Sequence, residues 1–175
     1  VADDYDKLYE DDVYIEENEY IFNLLNIQEE NTVLDIGCGT GLTADNVKLD
    51  RDNYVGIDPS KKMIDLFLNK HSTYYNSLIK TGFENFYSGR KFDYVISLFG
   101  GCSYCDVDVV KRIPYFLKKE GIYFLMMYKE NYKPKIYESH IKEFHPKTYT
   151  IDLPDCRVID YKTYNIITNL KTEYE

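Results

Sequence analysis

Two hydrophobic patterns alternate along the first 130 residues and predict an alternating order of strands and helices. Short, nearly continuous apolar runs are typical of parallel strands buried on both faces, whereas apolar residues spaced by three or four positions are typical of amphipathic helices. Predicted strands cover 33–35, 54–58, 72–76, 92–98 and 122–128, and predicted helical segments cover 15–27, 45–49, 61–70, 83–87 and 106–117. This order predicts an α/β fold with a Rossmann-like, doubly wound, mainly parallel sheet and helices on both faces.

The remaining features of the pattern are a broken helix, a turn and a distinct C-terminal region. Pro114 predicts a kink or an early end to the helix at 106–117, and Lys119-Glu120-Gly121 predicts a turn before the fifth strand. Segments 148–152, 157–161 and 164–169 are rich in Thr, Tyr, Ile and Val and predict short antiparallel strands beside the parallel sheet. They are either the closing strands of the sheet or an added substrate flap.

A glycine loop follows the first predicted strand. The strand ends at Asp35, and Gly37, Gly39 and Gly41 follow at alternate positions. Such a loop can adopt positive φ and let a ligand approach the backbone at the carboxyl edge of the sheet, where open α/β sheets bind their ligands. A dinucleotide-binding loop would instead place its third glycine at Leu42. A tight turn that binds no ligand remains an alternative.

A second acidic residue ends the next predicted strand. An ionised carboxylate at Asp58 has two acceptor oxygens and could bind both hydroxyls of a ribose. Pro59 and Ser60 then begin a helix that carries Met63 on its apolar face, where the side chain either contacts a ligand or fills the core.

The Asp-x-Gly-x-Gly-x-Gly string resembles motif I of the class I S-adenosylmethionine-dependent methyltransferases, and Ile-Asp-Pro-Ser-Lys-Lys-Met-Ile at 57–64 resembles their second motif. The resemblance covers residues 5–128 and implies S-adenosyl-L-methionine as cofactor and S-adenosyl-L-homocysteine as product. It implies cofactor-binding roles for Tyr5, Asp35, Gly37, Cys38, Gly39, Asp58, Pro59, Met63, Gly82, Phe83 and Leu98.

Three further segments are compared with this family. Tyr5-Asp6-Lys7-Leu8-Tyr9 resembles the Tyr-Asp-x-x-Tyr segment of the branch that methylates amines of small molecules, such as aminosugar N-methyltransferases. Gly82 stands where the family usually has an acid that contacts adenine, with the nearest acid displaced to Glu84; backbone groups of Gly82 and Phe83 could hold the ring edge instead. After the fourth strand the chain has Leu-Phe-Gly-Gly, which departs from the Asn/Asp-Pro-Pro-aromatic string of amino-group DNA methyltransferases.

Composition narrows the range of partners. The formal net charge is −9, which disfavours nucleic acid and favours a small-molecule acceptor. The sequence shows neither an apolar run long enough to span a membrane nor a signal peptide, so we expect a cytoplasmic protein with reduced thiols. The pair Cys102-x-x-Cys105 lacks matching partners for a zinc site, so no metal is expected, and a redox role stays open.

The predicted function is transfer of a methyl group to a small-molecule acceptor, an amine, by in-line displacement. Tyr104 is the best-placed catalytic candidate, and His71, His140 and His145 are weaker candidate bases. The alternatives are a non-catalytic cofactor-binding or regulatory protein and, third, a nucleotide-dependent oxidoreductase. Length predicts one domain over 1–175, with a helical lid and lead-in at 1–30, a cofactor-binding core at 31–130 and antiparallel strands at 131–175. The sequence does not indicate which oligomeric state the protein adopts.

Overall fold

A computed structural model describes residues 12–129, 149–150 and 152–171. Tyr5 lies outside the described residues, together with the rest of residues 1–11 of the predicted lid and lead-in, and so do His140 and His145. Within the described residues, seven strands form one sheet in the order β3-β2-β1-β4-β5-β7-β6. The strands β1 to β5 pair in parallel, and β7 runs antiparallel to both β5 and β6. The predicted Rossmann-like, mainly parallel sheet with an antiparallel C-terminal region is therefore confirmed.

The strands are β1 (Val33–Ile36), β2 (Tyr54–Asp58), β3 (Leu78–Lys80), β4 (Phe92–Ser97), β5 (Leu117–Tyr128), β6 (Arg157–Tyr161) and β7 (Tyr164–Thr168). The α-helices are α1 (Asp12–Leu25), α2 (Leu42–Asn46), α3 (Lys61–Lys70) and α4 (Val107–Val110). Short 3-10 segments cover Arg51–Asn53, Ser72–Ser77, Phe83–Asn85, Gly101–Tyr104 and Ile113–Phe116.

The sheet carries a hydrophobic core on each face, because successive side chains of a strand point to opposite sides. Phe124 and Met126 of β5 join the core that includes apolar residues of α1 and α3. Tyr123 and Leu125 join the core that includes Val110 of α4 and residues of the 3-10 segments. Covering both faces leaves the carboxyl edge of the parallel strands as the place where loops can form a ligand site.

Several predicted elements differ from the structure. The predicted strand at 72–76 is wrong: it is a 3-10 segment whose buried residues, Tyr74 and Ser77, are three apart, as that helix requires. The third strand is the following segment, β3. The predicted strand at 148–152 is also wrong, because Tyr149, Thr150 and Asp152 are helical.

The other differences are in segment boundaries. The predicted helix at 106–117 is α4 followed by a separate 3-10 segment with Pro114 in its first turn, where a missing amide hydrogen costs least. Lys119, Glu120 and Gly121 belong to β5 rather than to a turn before it, although Glu120 has a φ of 64°. The helix after the glycine loop ends at Asn46, before the predicted boundary at residue 49.

Candidate active site

A cavity of about 600 Å³ opens at the carboxyl edge of the parallel strands. Its walls come from the glycine loop after β1, the tip of β2, residues 81–84 after β3, residues 98–105 after β4, and Tyr128 at the end of β5. This volume is within the range of sites that bind small molecules and cofactors. The cavity therefore lies where the topology of an open α/β sheet predicts a ligand site.

Asp58 is the fixed carboxylate of this cavity. Its Oδ2 atom accepts a hydrogen bond from the Gly39 amide at 3.0 Å, and its Oδ1 atom accepts one from the Ser60 amide at 2.8 Å. The residue is only 8% exposed, and burial raises the pKa of the carboxyl above its ordinary value, although the two amide donors oppose that shift. Each oxygen has a further acceptor position, so the group can still bind a pair of neighbouring hydroxyls.

The glycine loop has the conformation that its sequence predicts. Gly37, Gly39 and Gly41 have φ values of 73°, 55° and 98°, a region that costs other residues strain. A Cβ on Gly37 would lie 3.1 Å from the Gly101 Cα atom, so the loop packs closely against the segment after β4. A Cβ on Gly39 would lie 4.0 Å from its nearest neighbour, the Gly37 carbonyl. Since Gly39 also lines the cavity, a side chain there would enter ligand space.

Asp35 lies behind the loop rather than in the cavity wall. Its Oδ2 atom accepts hydrogen bonds from the Tyr54 hydroxyl at 2.7 Å and from the Thr43 hydroxyl at 2.8 Å. Burial raises the pKa of the carboxyl to about 6, even though both hydrogen bonds favour the ionised form. Asp35 thus connects β1, β2 and α2 beneath the loop, and its direct contact with a cofactor stays a prediction.

One end of the cavity is formed by the turn after β3. Gly82 and Phe83 line it, and the Glu84 side chain folds back so that a Cβ on Gly82 would clash with its Oε1 atom. Glu84 therefore places a carboxylate beside Gly82. Arg112 holds this turn by donating to the carbonyls of Phe83 at 2.7 Å and Phe86 at 2.6 Å.

Aromatic side chains form the opposite end. Phe99 and Tyr128 line the cavity and both contact Tyr164, whose ring centroid lies 5.9 Å from that of Phe99 and 5.2 Å from that of Tyr128. The Tyr128 hydroxyl donates to the Phe99 carbonyl at 3.2 Å. Tyr104 lines the same cavity. This wall is largely apolar and presents aromatic rings to a bound molecule.

The structure brings together most of the predicted site residues. Those that line the cavity are Gly37, Gly39, Asp58, Pro59, Met63, Gly82, Phe83, Leu98 and the catalytic candidate Tyr104. Asp35 and Cys38 do not line it, and Tyr5 lies outside the described residues. His71 does not line it either, since its Nε2 atom contacts Asp45 at 2.6 Å on the far end of α3.

Sequence reasoning missed several lining residues, among them Ser60, Phe99, Gly101 and Tyr128. The sequence could have indicated Tyr128, because it is the last residue of β5 and the carboxyl ends of parallel strands face the ligand crevice. Phe99 is held at a φ of 49°, which the sequence does not indicate.

Among the described residues, no group of three or more His, Cys, Asp or Glu side chains is arranged to hold a metal ion. In the same part of the chain, no helix combines the length and apolarity needed to cross a membrane.

Comparison with known proteins identifies this architecture. Residues 33–121, just over half of the chain, match the family described as a methyltransferase domain. No curated protein matches the sequence. Among solved structures, DesVI from Streptomyces venezuelae superposes with a TM-score of 0.72 at 17% identity, over 95% of this chain and 96% of that one.

Two further solved structures are similar. One is the sugar N-methyltransferase KedS8 from Streptoalloteichus, with a TM-score of 0.52 and 19% identity over 65% of this chain and 47% of that one. The other is an S-adenosylmethionine-dependent methyltransferase from Thiobacillus denitrificans in complex with S-adenosyl-L-homocysteine, with a TM-score of 0.53 and 19% identity over 69% and 51% of the two chains. These structures share the fold of this chain. The family match, together with the strand order and the glycine loop, shows that the chain belongs to the class I S-adenosylmethionine-dependent methyltransferases.

Proposed function

We propose that the protein transfers a methyl group from S-adenosyl-L-methionine to the amino group of a small molecule. The observation that carries the proposal is the cavity itself, which joins the fixed carboxylate of Asp58 at one end to the wall of Phe99, Tyr104 and Tyr128 at the other. The first end suits a nucleoside, and the second suits an acceptor that is brought to the methyl group.

The residues at the first end fit the donor. Asp58 would accept hydrogen bonds from the ribose hydroxyls, since both of its oxygens are already oriented by backbone amides. Adenine would lie between Met63 and Phe83, with Glu84 or the backbone of Gly82 at its edge. The bare backbone at Gly37 and Gly39 leaves room for the amino-acid portion.

When bound, the donor supplies a sulfonium methyl group that is open to in-line attack. The chain's contribution is to hold the acceptor in line and to exclude water, and such positioning can lower a barrier by roughly 7–11 kcal/mol. Phe99, Tyr104 and Tyr128 would hold the acceptor, because their rings present an apolar surface to the cavity.

An amine acceptor fits this wall better than an alcohol. An alcohol needs a strong base beside it, whereas an amine needs only to arrive neutral. Among the described lining residues, the carboxylates belong to Asp58 and Glu84, which lie at the nucleoside end, and no histidine lines the cavity. Tyr104 remains a candidate for orienting the amine, and a sugar N-methyltransferase among the structural neighbours supports this acceptor class.

A donor titration followed by a transfer assay tests the proposal. We expect calorimetry to detect binding of S-adenosyl-L-methionine and of S-adenosyl-L-homocysteine, and isotope-labelled methyl to appear on members of a panel of amino sugars and other small amines. A matched panel in which hydroxyl groups replace the amines should remain unlabelled. Transfer to the hydroxyl panel alone would overturn the amine assignment, and binding of a nicotinamide dinucleotide without binding of the donor would overturn the proposal as a whole.

A further inference from the structure

We propose that Cys102 and Cys105 form a modification site in the wall of the cavity, at which a hydroperoxide oxidises Cys105 and Cys102 converts the product to an intramolecular disulfide. Both residues belong to one tight turn, in which the Cys105 amide donates to the Cys102 carbonyl at 3.0 Å. A turn closed by such a bond keeps its end Cα atoms within about 7 Å, close to the separation that a disulfide requires.

The two cysteines differ in access. Cys105 is half-buried and lines the cavity, so a small solute in the cavity can reach it. Cys102 is fully buried and packs in the core beneath the turn, so a solute in the cavity cannot reach it directly. This arrangement assigns separate roles: Cys105 is the thiol that meets the oxidant, and Cys102 is the thiol that resolves the oxidised product.

The four cysteines also differ in acidity. The neighbouring Cys102 thiol lowers the pKa of the Cys105 thiol, although burial and the charges of Glu84 and Asp106 oppose that shift. Burial raises the pKa of Cys38 and Cys156, and the neighbouring Cys105 thiol raises the pKa of Cys102. Since the thiolate is the nucleophile, Cys105 should be the most reactive of the four.

The chemistry balances with a hydroperoxide as the oxidant. The Cys105 thiolate attacks the terminal peroxide oxygen, the O–O bond breaks, and the chain gains a sulfenic acid while hydroxide or an alkoxide leaves. The Cys102 sulfur then attacks the Cys105 sulfur, forming the S–S bond and releasing water. A dithiol reductant reverses the modification.

The disulfide would alter the cavity wall. Gly101 and Tyr104 are in the same turn and line the cavity. Gly101 has no spare space, since a Cβ there would meet the Ser97 Oγ atom at 2.7 Å and the Ile36 carbonyl at 2.8 Å. Drawing Cys105 towards Cys102 must therefore move the cavity side of the turn, and we expect donor affinity to fall by about tenfold. This consequence rests on the proposed function, whereas the oxidation itself does not.

Mass spectrometry of the full-length protein tests the site. Iodoacetamide should label Cys105 about tenfold faster than the other cysteines near neutral pH. One equivalent of hydrogen peroxide should remove two hydrogens from the protein and link Cys102 to Cys105 in the peptide map. In the variant Cys102→Ser the sulfenic acid should persist and be trapped by dimedone, whereas Cys156→Ser should behave as the parent.

The outcomes separate this site from the proposed function. Equal labelling of Cys156 and Cys105, or a disulfide through a different pair, would overturn the modification site whatever the protein binds. Calorimetry with S-adenosyl-L-homocysteine then compares reduced protein, oxidised protein and oxidised protein treated with dithiothreitol. Lower affinity that dithiothreitol restores supports the effect on the cavity, and unchanged affinity would overturn it.

Discussion

The Asp58 carboxylate accepts a hydrogen bond from the Gly39 amide at 3.0 Å, which ties the tip of β2 to the glycine loop after β1. The Ser60 amide holds the other oxygen, so the group is oriented by its own backbone. A group that is fixed in this way loses little freedom when a ligand binds. The two motifs recognised separately in the sequence thus form one structural unit.

Removing this carboxylate should weaken donor binding. We expect Asp58→Ala to cost about 2–3 kcal/mol of binding free energy through lost charge-assisted hydrogen bonds, equivalent to roughly 30–150-fold in the dissociation constant measured by calorimetry. Asp65→Ala is the matched control, because Asp65 is an exposed carboxylate of α3 that pairs with Lys61. Equal affinities of Asp58→Ala and the parent would contradict the ribose assignment.

Two glycines of the loop should respond differently to the same substitution. Gly39→Val should abolish donor binding, because the side chain enters the cavity, with a smaller loss of stability from the positive φ. Gly41→Val should mainly destabilise the fold, because its Cβ would lie 3.1–3.2 Å from the buried Phe67 ring. Thermal unfolding measures the loss of stability of each variant, and calorimetry measures its loss of donor binding. Similar losses of stability in the two variants would contradict the expected difference between Gly39 and Gly41.

Arg112 should act on donor binding through the turn after β3. Arg112→Ala removes the hydrogen bonds to the carbonyls of Phe83 and Phe86, so the turn loosens and we expect the KM for the donor to rise more than kcat falls. Arg112→Lys should restore only part of the affinity, since an ammonium group lacks the fork geometry. Arg90→Ala is the control, because Arg90 donates to the backbone carbonyl of Asp52 on the exposed surface. A fall in kcat with unchanged KM would contradict this role.

Asp35 should make stability depend on pH in an unusual direction. Burial raises the pKa of its carboxyl from 3.8 to about 6, so the folded state binds the proton more tightly than the unfolded state does. The resulting stabilisation is complete below about pH 4, is lost as pH rises to about 6, and totals about 3 kcal/mol.

The variant Asp35→Asn lacks this titration while keeping an oxygen that can accept from Tyr54 and Thr43. Urea unfolding of both proteins between pH 4 and 7 measures the effect. The stability of the parent relative to the variant should decline across that interval and then stay constant. A flat difference would show that the pKa of Asp35 is unchanged on folding, and a difference that rises with pH would show that it is lowered; either result would contradict the raised pKa.

Local chemistry explains what could be predicted from the sequence. The conformation of the loop at 37–41 is set by its own glycines, and the position of Asp58 is set by the end of the strand that precedes it. Both could therefore be predicted from the pattern of apolar residues and glycines alone. Residues 72–76 were assigned wrongly because Tyr74 is buried by tertiary contacts, including its hydroxyl bond to the Leu49 carbonyl. Propensity for a strand was overridden by packing.

The aromatic wall formed by Phe99 and Tyr128 could not be predicted in the same way. Phe99, Tyr128 and Tyr164 meet only because β4, β5 and β7 assemble in that order, with Tyr128 paired to Tyr164 in the sheet register. Nothing near any of them in sequence indicates the others. The cysteine pair could be predicted in part. Its spacing is visible in the sequence, but the difference in burial between Cys102 and Cys105 is seen only in the structure.

A crystal structure of the protein with S-adenosyl-L-homocysteine tests the central claim most directly. We predict that both ribose hydroxyls lie within hydrogen-bonding distance of the Asp58 carboxylate, with adenine against Phe83 and the thioether directed towards Phe99 and Tyr128. Density for the nucleoside at another position, or for a nicotinamide dinucleotide along the glycine loop, would contradict the account.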